Sequence, residues 1–190
     1  NICVLDDEEV AVSLYKRNNF QILSVVDDVI RPVRMISTKH SCNAIAAAAK
    51  GEVVVNGYCG NNKSQWSLIN TTGDVMCSHQ YDTPRDTSSY LALNKTKTRV
   101  YISVRGMNLL LCFDIDGRLH FTYSPDNLRK PRGVAVDRYD NIYVVAYESD
   151  NLHQLSPDGS VVRVIASEMP KEPCAVCTHK SKDLLIITNF

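Results

Sequence analysis

Gly57-Tyr58-Cys59-Gly60-Asn61-Asn62-Lys63-Ser64 stands one residue from a phosphate-binding P-loop, with Asn62 where the second glycine belongs. Such a loop holds phosphate by close backbone approach at that glycine and by the N-terminus of a helix that follows. A strand is due here instead, so the segment is expected to be a polar loop between strands. Cys174 and Cys177 form a lone C-x-x-C. In a strand, residues three apart point to opposite faces, so the two thiols are not expected to share a metal and are read as small buried hydrophobes.

Asn94, Asp137 and His179 recur 43 and 42 residues apart and are of ligand type. The equivalent earlier positions, Leu5 and Ala48, cannot ligate, and aspartate at such a place is a common turn former. His40, His79, His120 and His153 have no partner at ligand spacing, and neither G-x-S-x-G nor H-E-x-x-H occurs. The expectation is a chain with no catalytic residues, no metal and no cofactor.

The elements that must position any site are set by an internal repeat. Its clearest copy runs Pro131-Arg132-Gly133-Val134-Ala135-Val136-Asp137, then Asn141-Ile142-Tyr143-Val144-Val145, Leu152-His153-Gln154-Leu155, the turn Ser156-Pro157-Asp158-Gly159, and Val161 to Ile165. With Ala135 as reference, the equivalent small residues are Cys3, Ala46, Ala92 and Cys177, giving successive spacings of 43, 46, 43 and 42 residues. That period suits a four-stranded propeller blade. The second strands align as Glu9 to Val12, Glu52 to Val55, Arg99 to Ile102, Asn141 to Val144 and Asp183 to Ile186, each a polar residue followed by three apolar ones. Apolar runs of this kind fit sheets packed on both faces.

Gly73, Gly117 and Gly159 each lie four residues beyond an apolar Ile69, Phe113 or Leu155, as a hairpin needing φ > 0 requires; the first copy lacks this glycine. Asp6 to Glu9 running on to Lys16-Arg17, and Ala46 to Ala49, have helical character by propensity and charge placement. Both stand in repeat register, and the pattern is taken to override propensity.

The expected fold is therefore an all-β propeller of four-stranded antiparallel blades. Blade cores are placed near 2–35, 43–80, 88–124, 131–166 and 173–190, about four blades in all. The first lacks its start and the last ends in its second strand at Asn189-Phe190. Propellers must seal the ring to protect their edges. The chain is read as part of a larger, six-bladed ring, completed by flanking sequence or by self-association, with closure of its own blades as a small ring the remaining alternative.

Composition narrows the setting. Twenty-one basic residues balance 21 acidic ones, so no global field holds a polyanion or an anionic membrane. No apolar run approaches the roughly 20 residues that span a bilayer. The chain starts without Met or a leader, which suggests a fragment. Seven widely spaced cysteines favour a reduced, cytoplasmic protein. The sequons at Asn62, Asn70 and Asn94 matter only in a secretory compartment.

Pro131 to Asp137, with Asn141-Ile142-Tyr143-Val144, Asn151 and Pro157-Asp158-Gly159, resembles the NHL-repeat family, whose copies read roughly P-x-G-V-A-V-D, G-N-I-Y-V, N and D-G. Asp140 replaces the usual glycine, and Leu152-His153-Gln154 stands where a basic residue is common. Such repeats often form the C-terminal propeller of tripartite-motif ubiquitin ligases, behind a RING, B-boxes and a coiled coil. The resemblance implies a substrate-recruiting role, with RNA binding as the alternative; apart from the resemblance, a secreted propeller hydrolase or lectin is the second alternative. No RING-type Cys/His cluster or heptad run occurs in these residues, so ligase chemistry is not assigned to them.

In antiparallel blades the fourth-to-first and second-to-third loops share one face, and loops carry function on rigid scaffolds. Those loops hold Tyr58, Asn61 and Lys63; Arg105 and Asn108; Arg129, Lys130 and Arg132; Tyr147 with Glu148 and Asp150; and Lys171 with Glu172. This face is the candidate partner site. A protein is the expected partner, and basic residues beside tyrosines are compatible with single-stranded RNA.

Overall fold

A computed structural model describes residues 1–14, 17–49, 51–84, 89–166, 168–179 and 181–189. Lys16, at the basic end of the helix-like segment, and residues 88 and 190, at the limits of two blade cores, lie outside them. The chain divides into two compact units, Asn1–Thr87 and Ser88–Phe190.

The first unit holds two four-stranded antiparallel sheets in simple sequence order. One consists of β1 (Ile2–Val4), β2 (Glu9–Ser13), β3 (Asn19–Val26) and β4 (Val29–Ser37); the other of β5 (Ala44–Ala47), β6 (Glu52–Gly60), β7 (Lys63–Asn70) and β8 (Val75–Asp82). Among the described residues neither segment of helical propensity is a helix: Glu9–Ser13 of the first is strand, and Ala46 and Ala47 of the second end strand β5. The first sheet has a short first strand of three residues. Its β3–β4 hairpin turns without glycine on Asp27 and Asp28, at φ 50° and 61°. Aspartate tolerates the left-handed region well enough to make the mirror-image turn that matches strand twist.

In the second unit, β9 (Ser89–Leu93), β10 (Arg99–Val104), β11 (Leu109–Asp114) and β12 (Leu119–Tyr123) form one sheet, and β13 (Pro131–Val136), β14 (Ile142–Ala146), β15 (Asn151–Leu155) and β16 (Val161–Ile165) form the next. A two-stranded sheet of β17 (Pro173–Thr178) and β18 (Leu185–Asn189) follows. Among the described residues the sole helical turn is a 3-10 turn at Arg105–Met107.

Strand β14 shows why the second strands read as unbroken apolar runs. Its Ile142, Val144 and Ala146 join Tyr101, Leu110, Cys112, Leu128 and Val134 in one core layer, while Tyr143 and Val145 join Ala135, Leu152 and Val176 in another. Alternate side chains thus enter different layers, and both faces are dry. The layers approach closely at Gly133, where a Cβ would stand 2.7 Å from the Ala175 Cα. In the first unit Ala11, Phe20, Ile22, Ile36, Cys42, Ile45, Val53, Val55 and Ile69 fill the space between its sheets.

Two sequence expectations need correction. The last second strand begins at Leu185, and Cys177 pairs with Ile186, one residue beyond the repeat alignment. A one-residue slip exchanges the faces of a strand, which leaves Ile186 exposed and turns Leu185 and Ile187 towards the core. Nor are the C-x-x-C thiols buried: Cys177 is exposed because it alternates with buried Val176 in the regular part of the strand, and Cys174 is half-buried at the register shift between Pro173 and Ala175.

Candidate functional site

Each predicted loop residue has a definite place. In the first unit, Tyr58, Asn61 and Lys63 belong to the β6–β7 hairpin, whose turn is made by Asn61 and Asn62 at φ 53° and 55°. The Tyr58 hydroxyl accepts a bond from the Asn62 N–H at 3.2 Å, and Lys63 Nζ lies 3.3 Å from the Asp82 carboxylate. The P-loop-like segment is therefore a hairpin with no helix after it. Gly57 serves packing: a Cβ there would stand 1.8 Å from the Ser41 carbonyl oxygen.

In the second unit the remaining candidates come together. Tyr147, just past β14, is the hub. The Arg132 guanidinium carbon lies 3.9 Å from its ring centroid and that of Arg105 lies 5.7 Å away. Cation–π attraction of this kind holds both guanidiniums against the ring. Arg132 also donates to the Cys174 sulfur at 3.0 Å, and the Ser103 hydroxyl donates to the Arg132 carbonyl. A hydrogen bond to Glu172 is the first cause that raises the Tyr147 phenol above its ordinary pKa, followed by desolvation and the Glu172 charge.

Backbone bonds stitch the loops to one another. Tyr147 N–H donates to the Lys130 carbonyl and Glu148 N–H to the Arg129 carbonyl, each at 3.2 Å. Lys130 N–H donates to Asn108 Oδ1 at 2.8 Å. Glu172 N–H donates to Asp150 Oδ1 at 2.7 Å, and that bond, then the Lys171 ammonium, holds the Asp150 carboxyl below the usual range. Both lysines are ion-paired, Lys130 to Glu148 at 3.3 Å and Lys171 to Asp150 at 3.0 Å. Arg105, Asn108, Arg129, Lys130, Arg132, Tyr147 and Lys171 thus form one connected surface.

Sequence reasoning missed what lies beneath it. Fully buried His153 accepts the Tyr123 hydroxyl at Nδ1 (2.7 Å), so its Nε2–H faces Asn151 Oδ1 at 3.0 Å and the Asn127 carbonyl at 3.3 Å. Asn151 and Ser149 donate to the same Asn127 carbonyl. This network ties the β12–β13 loop to the β14–β15 loop. The family-like Asn151 was its one sequence signal, since nothing marked Tyr123 or Asn127.

The metal-type column is explained by turns. Asn94 Oδ1 accepts the N–H groups of Thr98 and Arg99, each at 2.9 Å. Asp137 accepts from Tyr139 N, Asn141 N, Asn141 Nδ2 and the Tyr143 hydroxyl. His179 Nδ1 accepts the N–H groups of Ser181 and Lys182. Asp6 clasps the first hairpin in the same way, through Glu8 N and Glu9 N.

Solved structures share this architecture. The β-propeller domain of Cps50 (Swd1) from Myceliophthora thermophila superposes with a TM-score of 0.76 at 15% identity, covering 97% of this chain and 63% of that one. Virginiamycin B lyase from Staphylococcus aureus gives 0.74 at 14% identity, over 98% of this chain and 61% of that one. A functionally unknown protein from Desulfotomaculum acetoxidans gives 0.79 at 10% identity, over 98% and 61%. The fold is that of a β-propeller. The chain spans about three-fifths of the length of these propellers, and at such identities the likeness is one of fold alone. No protein-family model and no curated protein matches it. No helix among the described residues is long and apolar enough to cross a membrane.

Proposed function

We propose that this chain is a non-catalytic binding platform, the NHL-type propeller part of a tripartite-motif-like ubiquitin ligase, which recruits a protein through the loop surface around Tyr147. The NHL-like copy from Pro131 to Gly159 supports the family reading. The observation that carries the partner class is charge compensation. Lys130 and Lys171 are ion-paired with Glu148 and Asp150, and Arg105 and Arg132 are drawn to an aromatic ring. A strand-tracking nucleic-acid groove keeps its cations available for phosphate, whereas a preorganised Arg/Tyr cluster with a mixed-charge rim is what protein interfaces use as an anchor.

Quantitative affinity capture tests this. Proteins retained by the wild-type chain should be lost with Tyr147→Ala and Arg105→Ala and kept with Lys63→Ala. Identical retained sets refute the site. Capture that is nuclease-sensitive and falls steeply with salt turns the reading to RNA. Sequencing the complete transcript tests the ligase assignment: a RING-type cluster followed by heptads is expected, and a secretory leader in its place overturns it.

A further inference from the structure

At the other end of the second unit's sheets, the first-to-second-strand turns of successive sheets enclose a cleft of about 400 Å³, walled by Leu93 and Val136 and edged by Asn94, Lys95, Lys97, Asp137, Arg138 and His179. The hydrogen-bonding sense of this lining is one-sided. Asn94 Oδ1 is taken by two backbone N–H groups of its own turn. Both oxygens of Asp137 are taken by four donors. The Thr178 hydroxyl is spent on the Val136 carbonyl at 2.9 Å.

What remains are donors. Because His179 Nδ1 receives two N–H bonds, at 3.1 and 3.0 Å, it holds the lone pair of the neutral ring, and the proton sits on Nε2. That Nε2–H, like the ammonium groups of Lys95 and Lys97, is without a carboxylate partner among the described residues. Arg138, at the cleft's edge, is already committed to Asp183 and the Ser181 carbonyl and adds positive potential. A lining of donors whose acceptors are consumed repels a metal ion and suits a ligand made of acceptors.

We propose that this cleft binds an oxyanion, the carboxylate or phosphate of a small molecule, held by Lys95, Lys97 and the Nε2–H of His179. The site is independent of the Tyr147 surface. The test is NMR on the 190-residue chain, following the His179 ring nitrogens and the amides of residues 95–98. Inorganic phosphate and acetate are titrated separately, at ionic strength held constant with sodium chloride.

Saturable movement of both reporters together is expected, with the tighter anion identifying the natural group as phosphate or carboxylate. Two charge-assisted bonds removed by Lys95→Gln/Lys97→Asn should weaken binding about tenfold or more. Asparagine is chosen because Lys97 sits at φ 60°, and the single Lys95→Gln variant serves if the pair disturbs the rest of the amide spectrum. No saturable shift with either anion, undiminished binding in the variants, or equal shifts from chloride alone overturns the proposal.

Discussion

Gly57→Ala should be among the most damaging single-methyl additions to this protein. Gly57 is buried on β6, and the new Cβ would stand 1.8 Å from the Ser41 carbonyl oxygen and 2.5 Å from its carbon. The obstacle is backbone and cannot rotate aside. Restoring van der Waals contact needs the Ser41 segment to withdraw by on the order of 1.5 Å. That movement strains Ser41 N–H to the Tyr58 carbonyl (3.0 Å), Tyr58 N–H to Ser41 Oγ (2.8 Å) and Asn43 N–H to the Asn56 carbonyl (2.9 Å). Overpacking costs about 1–3 kcal/mol and each lost bond about 1 kcal/mol, so a loss of roughly 3–5 kcal/mol is expected.

Trp66 reports on this unit, because it is fully buried on β7 and pairs with Asn56 beside the mutated position. Urea unfolding followed by its fluorescence should show a midpoint lowered by about 1 M or more. Gly60→Ala is the control. No atom lies within 4 Å of its Cβ, so at φ 98° it carries only the conformational penalty of about 1–2 kcal/mol. If Gly57→Ala is no worse than Gly60→Ala, the close-approach argument is wrong.

Burial, opposed in part by the bond to the Asn127 carbonyl, lowers the His153 pKa. The unfolded state then takes up the proton first, so the stability His153 contributes is full above about pH 6.5 and is lost as pH falls through the folded value. Amide protection across Asn151–Leu155, taken relative to the intrinsic exchange rate at each pH, should fall on acidification over that range, and His153→Gln should flatten the dependence; parallel profiles refute it. Gly133→Ala puts a Cβ 2.7 Å from both Ala175 Cα and Val176 N, and should strip exchange protection from β17–β18 while β10–β11 keeps its own. Asp137→Ala removes the acceptor for four donors and should cost about 2 kcal/mol or more, measured by thermal unfolding, with Asp137→Asn milder because Oδ1 remains.

How much was legible depended on whether a feature is carried by the repeat. Strand order followed from periodicity because a second strand such as Ile142–Ala146 must be apolar on both faces, and no other element demands that pattern so consistently. Within the second unit the loops fell together by antiparallel topology alone, which is why residues as far apart as Arg105 and Lys171 could be grouped. Three things escaped. The slip at Leu185 depends on turn length, which a 42-residue spacing does not specify. The exposure of Cys177 depends on which face of β17 is packed, and that of Cys174 on a local irregularity. The Tyr123–His153–Asn127 network joins side chains from adjacent sheets, and it exists because a buried imidazole must find partners wherever packing presents them.

The two ends of the second unit differ in a way that bears on what each can hold. At the Tyr147 end, both lysines are ion-paired and Arg105 and Arg132 lie against the ring, so a partner gains little from phosphate-like charge and must offer shape, aromatic contact and well-placed acceptors. At the Lys95 end, acceptors are matched, whereas the ammonium groups of Lys95 and Lys97 have no carboxylate partner among the described residues. One repeat produces both outcomes. Its first-to-second-strand turns need an Asn, Asp or His to clasp their own N–H groups, which consumes acceptors around the Asn94–Asp137–His179 column. Its other loops are held by backbone carbonyls together with Asn108 Oδ1 and one oxygen of Asp150, which leaves Glu148 and the second Asp150 oxygen to neutralise lysines. The two surfaces should therefore respond oppositely to substitution. Removing Glu148 should free Lys130 and increase non-specific, salt-sensitive polyanion binding at the Tyr147 end, measurable with a fluorescent oligonucleotide at low and high salt, while leaving phosphate binding near His179 unchanged. Equal gains at both ends would mean that net charge alone, and not the local matching of groups, governs binding by this protein.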